Sequence, residues 1–433
     1  MNPLLFVLAL LDDPIDPIAP TDPTPPEPAP TEPVAAEPPP VVVVAPIASP
    51  PPPPPPAAKK RDGFVIASDD GASHLRVGAI LQYDGRFFVD DTPQLTDQFA
   101  FRSIRPDLQA SLGEHLDARL LPDFAGGKLV VQEAYADVKY LGDALVVRAG
   151  KMKVPFGLER LQAEVATTFV ERGMPTQLAP NRDLGVELYG TLAKRVEYQV
   201  GVFNGVADGQ SGDGDVGRKK ELAARVFVTP IDGLGVGGAV TYGYKLGTAA
   251  SPDVAGWKTQ GQNGFFTYGD GVIADGRHWR ATAQADYYAG PLGVLAEYVR
   301  STQDIALADQ HATARFEAWQ VLAQWVITGE RATYKSVTPR HAFDPANGTY
   351  GAFDVAARAT ELRAVDGDVF AAGFADPTKS AKRAYSAGGG ADWFLSQNLR
   401  FALDVDRTWF RRGAANGNRA SETSIIGRAQ VAF

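Results

Sequence analysis

Cysteine is missing altogether from the 433 residues, which removes disulfides, thiol nucleophiles and thiolate-held metals at once. Histidine is scarce, with five scattered residues, which counts against a zinc site although His and carboxylates alone could build one. No metal or cofactor is therefore expected. An excess of basic charge is also lacking. The formal net charge is −9, which argues against nucleic acid as a partner. No long hydrophobic run is present. The longest near the start, Leu4–Leu11, has eight residues, against the ~20 that a membrane-spanning helix needs.

What is there falls into two parts. Leu4–Leu11 fits the apolar region of a secretory signal, although a basic segment before it and a clean small-residue cleavage site after it are lacking. Residues 12–58 are almost wholly Pro, Ala, Val, Thr and acids, ending in Pro50–Pro56. Such a composition cannot bury enough apolar surface to offset ordering. It reads as an extended spacer, either a passive linker or a tether that touches the cell wall or another envelope protein. Residues 1–60 hold seven acids and two bases, a net of −5, which leaves −4 for the remainder. The division is thus 1–62, an atypical export signal and Pro-rich periplasmic spacer, and 63–433, a folded domain.

From Gly63 onward, segments of roughly ten residues alternate apolar with polar or small side chains and are broken by Gly, Pro, Asp and Asn. In the last one, Ile425, Gly427, Ala429, Val431 and Phe433 share a face, and Ser424, Arg428 and Gln430 share the other, with Ile426 an exception. Leu399, Phe401, Leu403, Val405 and Trp409 oppose Asn398, Arg400, Asp404, Asp406 and Thr408. Ala134, Ala136, Val138 and Tyr140 oppose Glu133, Tyr135, Asp137 and Lys139. Period 2 gives each strand one apolar and one polar face. A soluble sandwich turns the apolar face inward; a membrane barrel turns it out to lipid. Three features favour the barrel: strands recur along the whole chain, aromatics such as Tyr287–Tyr288, Trp393–Phe394 and Trp409–Phe410 sit near strand ends, and the chain closes on Phe433. A terminal aromatic on an amphipathic strand is the usual signal to the barrel assembly machinery.

Seventeen candidate strands can be marked out: 74–90, 98–112, 115–123, 129–141, 143–151, 182–194, 195–205, 217–230, 234–245, 262–270, 277–289, 291–303, 313–326, 351–365, 379–394, 397–411 and 421–433. A single-chain bacterial barrel needs an even number. The short turns, at Gly113–Glu114, Gly142, Pro230–Gly233, Gly290–Pro291 and Ser396–Gln397, are assigned to the periplasmic end. Segment 262–270 then falls inside an extracellular connection. The expectation is an all-β, antiparallel transmembrane barrel of sixteen strands with both ends in the periplasm. Its longest connections are 152–181 outside and 327–350 on the periplasmic side.

Gly150 to Arg160, reading Gly-Lys-Met-Lys-Val-Pro-Phe-Gly-Leu-Glu-Arg, resembles the signature of the phosphate- and polyphosphate-selective porin (porin O/P) family. Further matches follow in order: Phe169-Val170-Glu171-Arg172, Arg182-Asp183-Leu184-Gly185-Val186, Gly201-Val202-Phe203-Asn204-Gly205, Thr328-Gly329-Glu330, Gly351-Ala352-Phe353 and Ala356-Ala357-Arg358. The resemblance spans roughly 63–433. It implies a homotrimer of sixteen-stranded barrels with loops folded into each lumen and basic side chains along an anion path. One departure matters: where members often carry Arg-Arg-x-Arg, this chain has Arg102-Ser103-Ile104-Arg105, and a basic position is lost to Ser103.

A water-filled lumen with low-dielectric walls focuses the field of charges at its waist, and rings of Arg or Lys there favour anions. The 151–182 stretch holds Lys151, Lys153, Arg160, Arg172 and Arg182 against Glu159, Glu164 and Glu171, a net of +2. Lys335 and Arg340 belong to a second connection of net +1, and Arg105 shares a polar strand face with Asp107, Gln109 and Ser111. These eight basic residues are the candidate anion path. No catalytic constellation is visible: Asp404 and Asp406 read as a polar wall, and Gly388-Gly389-Gly390 continues into strand rather than a helix, so it lacks the context of a phosphate loop. The expected function is passive diffusion of small anions, phosphate among them. A general weakly selective porin and a plugged barrel with an envelope-tethering role are the alternatives.

Overall fold

A computed structural model describes residues 64–90, 95–214, 219–365 and 368–433. The export signal and the Pro-rich spacer lie outside the described residues. Sixteen antiparallel strands close into a barrel. They are β1 Ser73–Phe88, β2 Gln98–Leu112, β3 Leu116–Asp123, β4 Val130–Lys139, β5 Val146–Lys153, β6 Arg182–Leu192, β7 Val196–Phe203 and β8 Glu221–Ile231. They continue as β9 Leu234–Leu246, β10 Ile273–Ala289, β11 Leu292–Leu307, β12 Gln310–Val326, β13 Ala352–Ala364, β14 Ala381–Phe394, β15 Leu399–Ala414 and β16 Glu422–Ala432. β16 pairs back onto β1 and completes the ring. Segment 262–270 is loop structure, as the parity count required: its one short strand, Gly264–Phe266, pairs only with Trp257–Lys258 inside the β9–β10 connection.

Alternation places the side chains as the sequence implied. On β15, Phe401, Leu403, Val405 and Trp409 are exposed on the outer wall, and Arg400, Asp404, Asp406 and Thr408 are buried inside. A short leading strand, Phe64–Ala67, pairs with the edge of β1 that β16 leaves uncovered. Phe433 lies opposite Ala79 through reciprocal backbone bonds of 3.1 Å, Phe64 lies opposite Val77, and the two rings meet edge to face at 6.1 Å.

The wall is uneven in height. β3 and β5 have 8 residues each, whereas β10 and β12 have 17. At about 3.4 Å per residue and ~40° tilt, the long strands rise roughly 44 Å and the short ones roughly 20 Å, bracketing the ~25 Å apolar band of such barrels. The 327–351 connection lies at the same end as the termini and the 290–291 turn, as expected. One short turn breaks the pattern: Ala308-Asp309 joins β11 to β12 at the opposite end, with Ala308 in the left-handed region at φ 51°.

Candidate functional site

The stretch between β5 and β6 folds into the lumen rather than out over the rim. Its backbone reaches the inner faces of strands all round the barrel. Leu158 N–H donates to Glu297 on β11 at 2.6 Å, Met174 N–H to Thr360 on β13 at 3.0 Å, and Val170 N–H to Asp404 on β15 at 2.6 Å. In return Arg400 donates to the Thr167 and Thr168 carbonyls at 2.6 and 2.9 Å, and Arg358 to the Glu171 carbonyl at 2.6 Å. Ile426, the apolar exception on the polar face of β16, packs against Val170 and Ala402. It marks where this loop docks.

An apolar core lies inside the barrel against the β9 and β11–β15 wall. Trp257, Phe265 and Phe266 from the 247–272 loop and Phe370 and Phe374 from the 365–380 loop are buried against Phe316 and Phe410 of the wall. Trp257 and Phe266 approach Phe316 edge-on at 5.3 and 5.1 Å. Two cavities lie on the other side, along β1–β7. A cavity of about 410 Å³ toward the end with the termini is lined by six basic side chains (Arg76, Arg105, Arg119, Arg148, Lys153 and Arg182) and four acidic ones (Asp107, Glu133, Glu164 and Glu187). A second, of about 390 Å³, opens toward the opposite end beside Arg86, Arg102, Asp84, Asp123 and Glu171. Arg105 lines the first cavity and Asp123 the second.

Charge at this waist is sorted in a particular way. The loop's acids are taken up by wall groups: Glu164 pairs with Arg105, Glu171 with Arg86 at 3.3 Å and Arg102 at 3.6 Å, and Glu159 accepts from Gln320 at 2.9 Å and from Gly173 N–H at 2.8 Å. The cations Lys153, Arg160 and Arg172 instead donate to backbone carbonyls. Lys153 reaches Gln162 at 2.9 Å, Arg172 reaches Glu159 and Gln162 at 3.0 Å each, and Arg160 reaches Thr176. Among the described residues none of these three has a carboxylate within 4.0 Å. Burial alone would raise the Glu164 carboxyl, but Arg105, then Arg102, Arg172 and Arg182 outweigh it and hold it well below the usual carboxylate range.

Of the eight candidates, Arg105, Lys153 and Arg182 line the 410 Å³ cavity; Arg160 and Arg172 stand in the loop above it. Arg182 is held by Glu133 at 3.0 Å. Lys151 does not line that cavity; it is buried and paired with Asp213 of the next connection. Lys335 and Arg340 are exposed at the end with the termini. From their segment it is Tyr334 that reaches the waist, donating to the Leu158 carbonyl at 2.6 Å. Arg86, Arg102, Arg119 and Arg148 escaped the sequence reading. Arg86 shares the inward phase of Gln82 and Asp84 and was open to detection by period 2. Arg102 was not, because a bulge between Gln82 and Tyr83 leaves it outside the cross-strand register. Ser103, which takes the place of a basic residue, is buried, with its hydroxyl 3.4 Å from Glu164.

A closed barrel with an apolar exterior, an inward-folded loop and a charged waist defines an outer-membrane diffusion channel. The chain belongs to the family of phosphate-selective porins O and P, whose profile matches residues 76–433. It is similar in fold to the outer-membrane channel DcaP of Acinetobacter baumannii, at 11% identity over 86% of this chain and 99% of that one, with a TM-score of 0.57. OmpT of Vibrio cholerae is 12% identical over 86% of this chain and 100% of its own, with a TM-score of 0.54. An anion-selective porin from Comamonas acidovorans is 12% identical over 83% and 100%, with a TM-score of 0.53. Comparison with curated protein sequences found no match.

Proposed function

We propose that this porin prefers small anions, phosphate among them, and passes them along the β1–β7 side of its lumen. The observation that carries the reading is the set Lys153, Arg160 and Arg172, which lacks carboxylate partners among the described residues while Glu164 and Glu171 are engaged by arginines of the wall. An anion that sheds water at a constriction is compensated by fixed positive charge and hydrogen-bond donors. Several moderate sites in series pass an ion where one deep site would hold it. Arg102, Arg105, Lys153 and Arg182 offer such a series. The family name and the anion-selective fold neighbour agree with this reading.

The test is the reversal potential of the reconstituted full chain in a salt gradient. An anion-selective potential, and chloride current reduced by added phosphate, are expected. A cation-selective potential would overturn the proposal. A second reading, a barrel sealed by its loops, is favoured by the aromatic core packed inside the barrel. Single-channel conductance decides between the two, since a sealed barrel shows none. We further take the end with the termini as periplasmic, residues 12–58 as a spacer there with access to the cell wall, and a homotrimer as the assembly the family resemblance implies.

A further inference from the structure

The outer wall carries charge in a row that a purely lipid-facing surface would not tolerate. Following the cross-strand register, Tyr298 lies opposite Trp319, Trp319 opposite Glu361, Glu361 opposite Tyr385 and Tyr385 opposite Trp409. This row faces outward and is largely aromatic, as at a membrane interface. The next outward row, two residues further from the end with the termini, runs Arg300, Glu317, Arg363, Arg383 and Arg411 on five successive strands. Three arginines stand directly opposite one another, an arrangement that is destabilising without counter-charge.

The protein supplies only part of that counter-charge. Glu317 accepts from Arg363 at 2.9 Å and lies 3.5 Å from Arg300, and Glu361 pairs with Arg383 at 2.5 Å. Arg411 has no ion pair among the described residues. Beside Arg300 the row opens into an outward groove of about 680 Å³ that also holds Trp279, Arg277 and Asp304, the last two paired at 3.2 Å.

We propose that this row binds the phosphate groups of a phosphorylated lipid in the leaflet facing away from the termini. The depth, just beyond an aromatic girdle, is that of headgroups, and guanidinium forks match phosphate oxygens. A second copy of this chain is a poor occupant: the outward residues of the low wall, such as Leu116, Ala118, Leu120, Ala134, Ala136, Val138, Val186 and Leu188, carry no acid to meet the arginines. The inference rests on the outer-membrane placement with the termini in the periplasm, and not on the ion preference of the lumen.

The test is native mass spectrometry of the full chain in detergent, titrated with diphosphoryl lipid A, with the same lipid dephosphorylated, and with inorganic phosphate. The diphosphorylated lipid should bind more tightly than the dephosphorylated one, and inorganic phosphate at the same concentration should leave no adduct. R383Q/R411Q should weaken the phosphorylated lipid by roughly 5–30-fold. Equal binding of the two lipids to the unaltered protein overturns the proposal without any variant. So do a phosphate adduct at the lipid's concentration, an unchanged affinity in R383Q/R411Q, and a change of oligomeric mass in that variant, which would make the row a protomer contact. Reversal potentials play no part in this readout, so it fails or stands apart from the anion-channel proposal.

Discussion

Arg358 on β13 and Asp406 on β15 join at 3.1 Å across the strand that separates them. They can do so because β14 places Gly388 between them in register. The same guanidinium holds the Glu171 carbonyl at 2.6 Å and lies over the Phe169 ring at 4.1 Å. The glycines of β14 thus give the inward loop its anchor on the far wall. A Cβ at residue 388 would stand 2.2 Å from the Asp406 carboxylate. Gly388→Ala should therefore cost about 1–3 kcal/mol by overpacking and release the loop. Thermal unfolding in detergent should report the loss, and single-channel records should become noisy.

Reversing charge at the waist should separate the candidates. Lys153→Glu with Arg172→Glu should lower the anion-to-cation permeability ratio by at least roughly fivefold, since a unit charge at about 4 Å is worth ~1 kcal/mol even at the dielectric of water. Lys151→Glu, whose partner is Asp213, should change the ratio far less. Reversal potentials of the two variants, measured side by side, check this. An equal effect would place Lys151 on the path.

Glu164 sets a pH dependence. Its folded-state carboxyl is depressed, so its contribution is fully present above the ordinary carboxylate value and is lost only as pH falls through the depressed one. Selectivity and conductance governed by this group should stay flat from pH 8 to about pH 5. Glu164→Gln removes one negative charge and leaves Arg105 to Asp123 at 2.7 Å; anion preference should rise. A titration of the reversal potential near pH 6 that disappears in Glu164→Gln would contradict the assignment.

Shaving the aromatic core should widen the lumen. Trp257→Ala removes contacts to Phe266 and Phe316, and truncations of this size cost about 3–5 kcal/mol in packed interiors. The 247–272 loop should loosen and mean conductance should increase. Unchanged conductance would mean that flow is limited wholly on the β1–β7 side.

Much of the fold was legible because one physical rule, period 2 between water and lipid, governs nearly every strand. The parity count then moved 262–270 into a loop, where its short hairpin lies. The site was less legible. Net charge along 151–182 pointed to the loop that folds into the lumen, but charge alone does not say which cations meet carboxylates. Lys151 and Lys153 are two residues apart, yet one is paired with Asp213 and the other with backbone carbonyls. That outcome depends on where Asp213 comes to lie, which no local pattern encodes. Ile426 was a usable signal that read as noise. An apolar side chain on a polar lumen face means that something apolar comes to meet it, here Val170.

Phe433 closes the last strand against Ala79 and meets Phe64. Deleting it should reduce the yield of folded barrel in membranes, read as heat-modifiable mobility on gels. A variant that keeps the ring, Phe433→Tyr, should assemble normally. Unchanged assembly after deletion would reduce the residue to an interface aromatic.

The leading strand has a consequence for how the ring finds its registration. β16 and Phe64–Ala67 run in the same direction along one edge of β1, end to end, with only Gly78 between the positions they occupy. A slip of β16 toward the end with the termini would drive Phe433 into Phe64. In a closed barrel, stagger fixes tilt and diameter together, and a slip by one residue would turn every inward charge of β16 to lipid. Four residues outside the ring thus act as a mechanical stop on its shear, and through the shear they help to fix the bore of the channel.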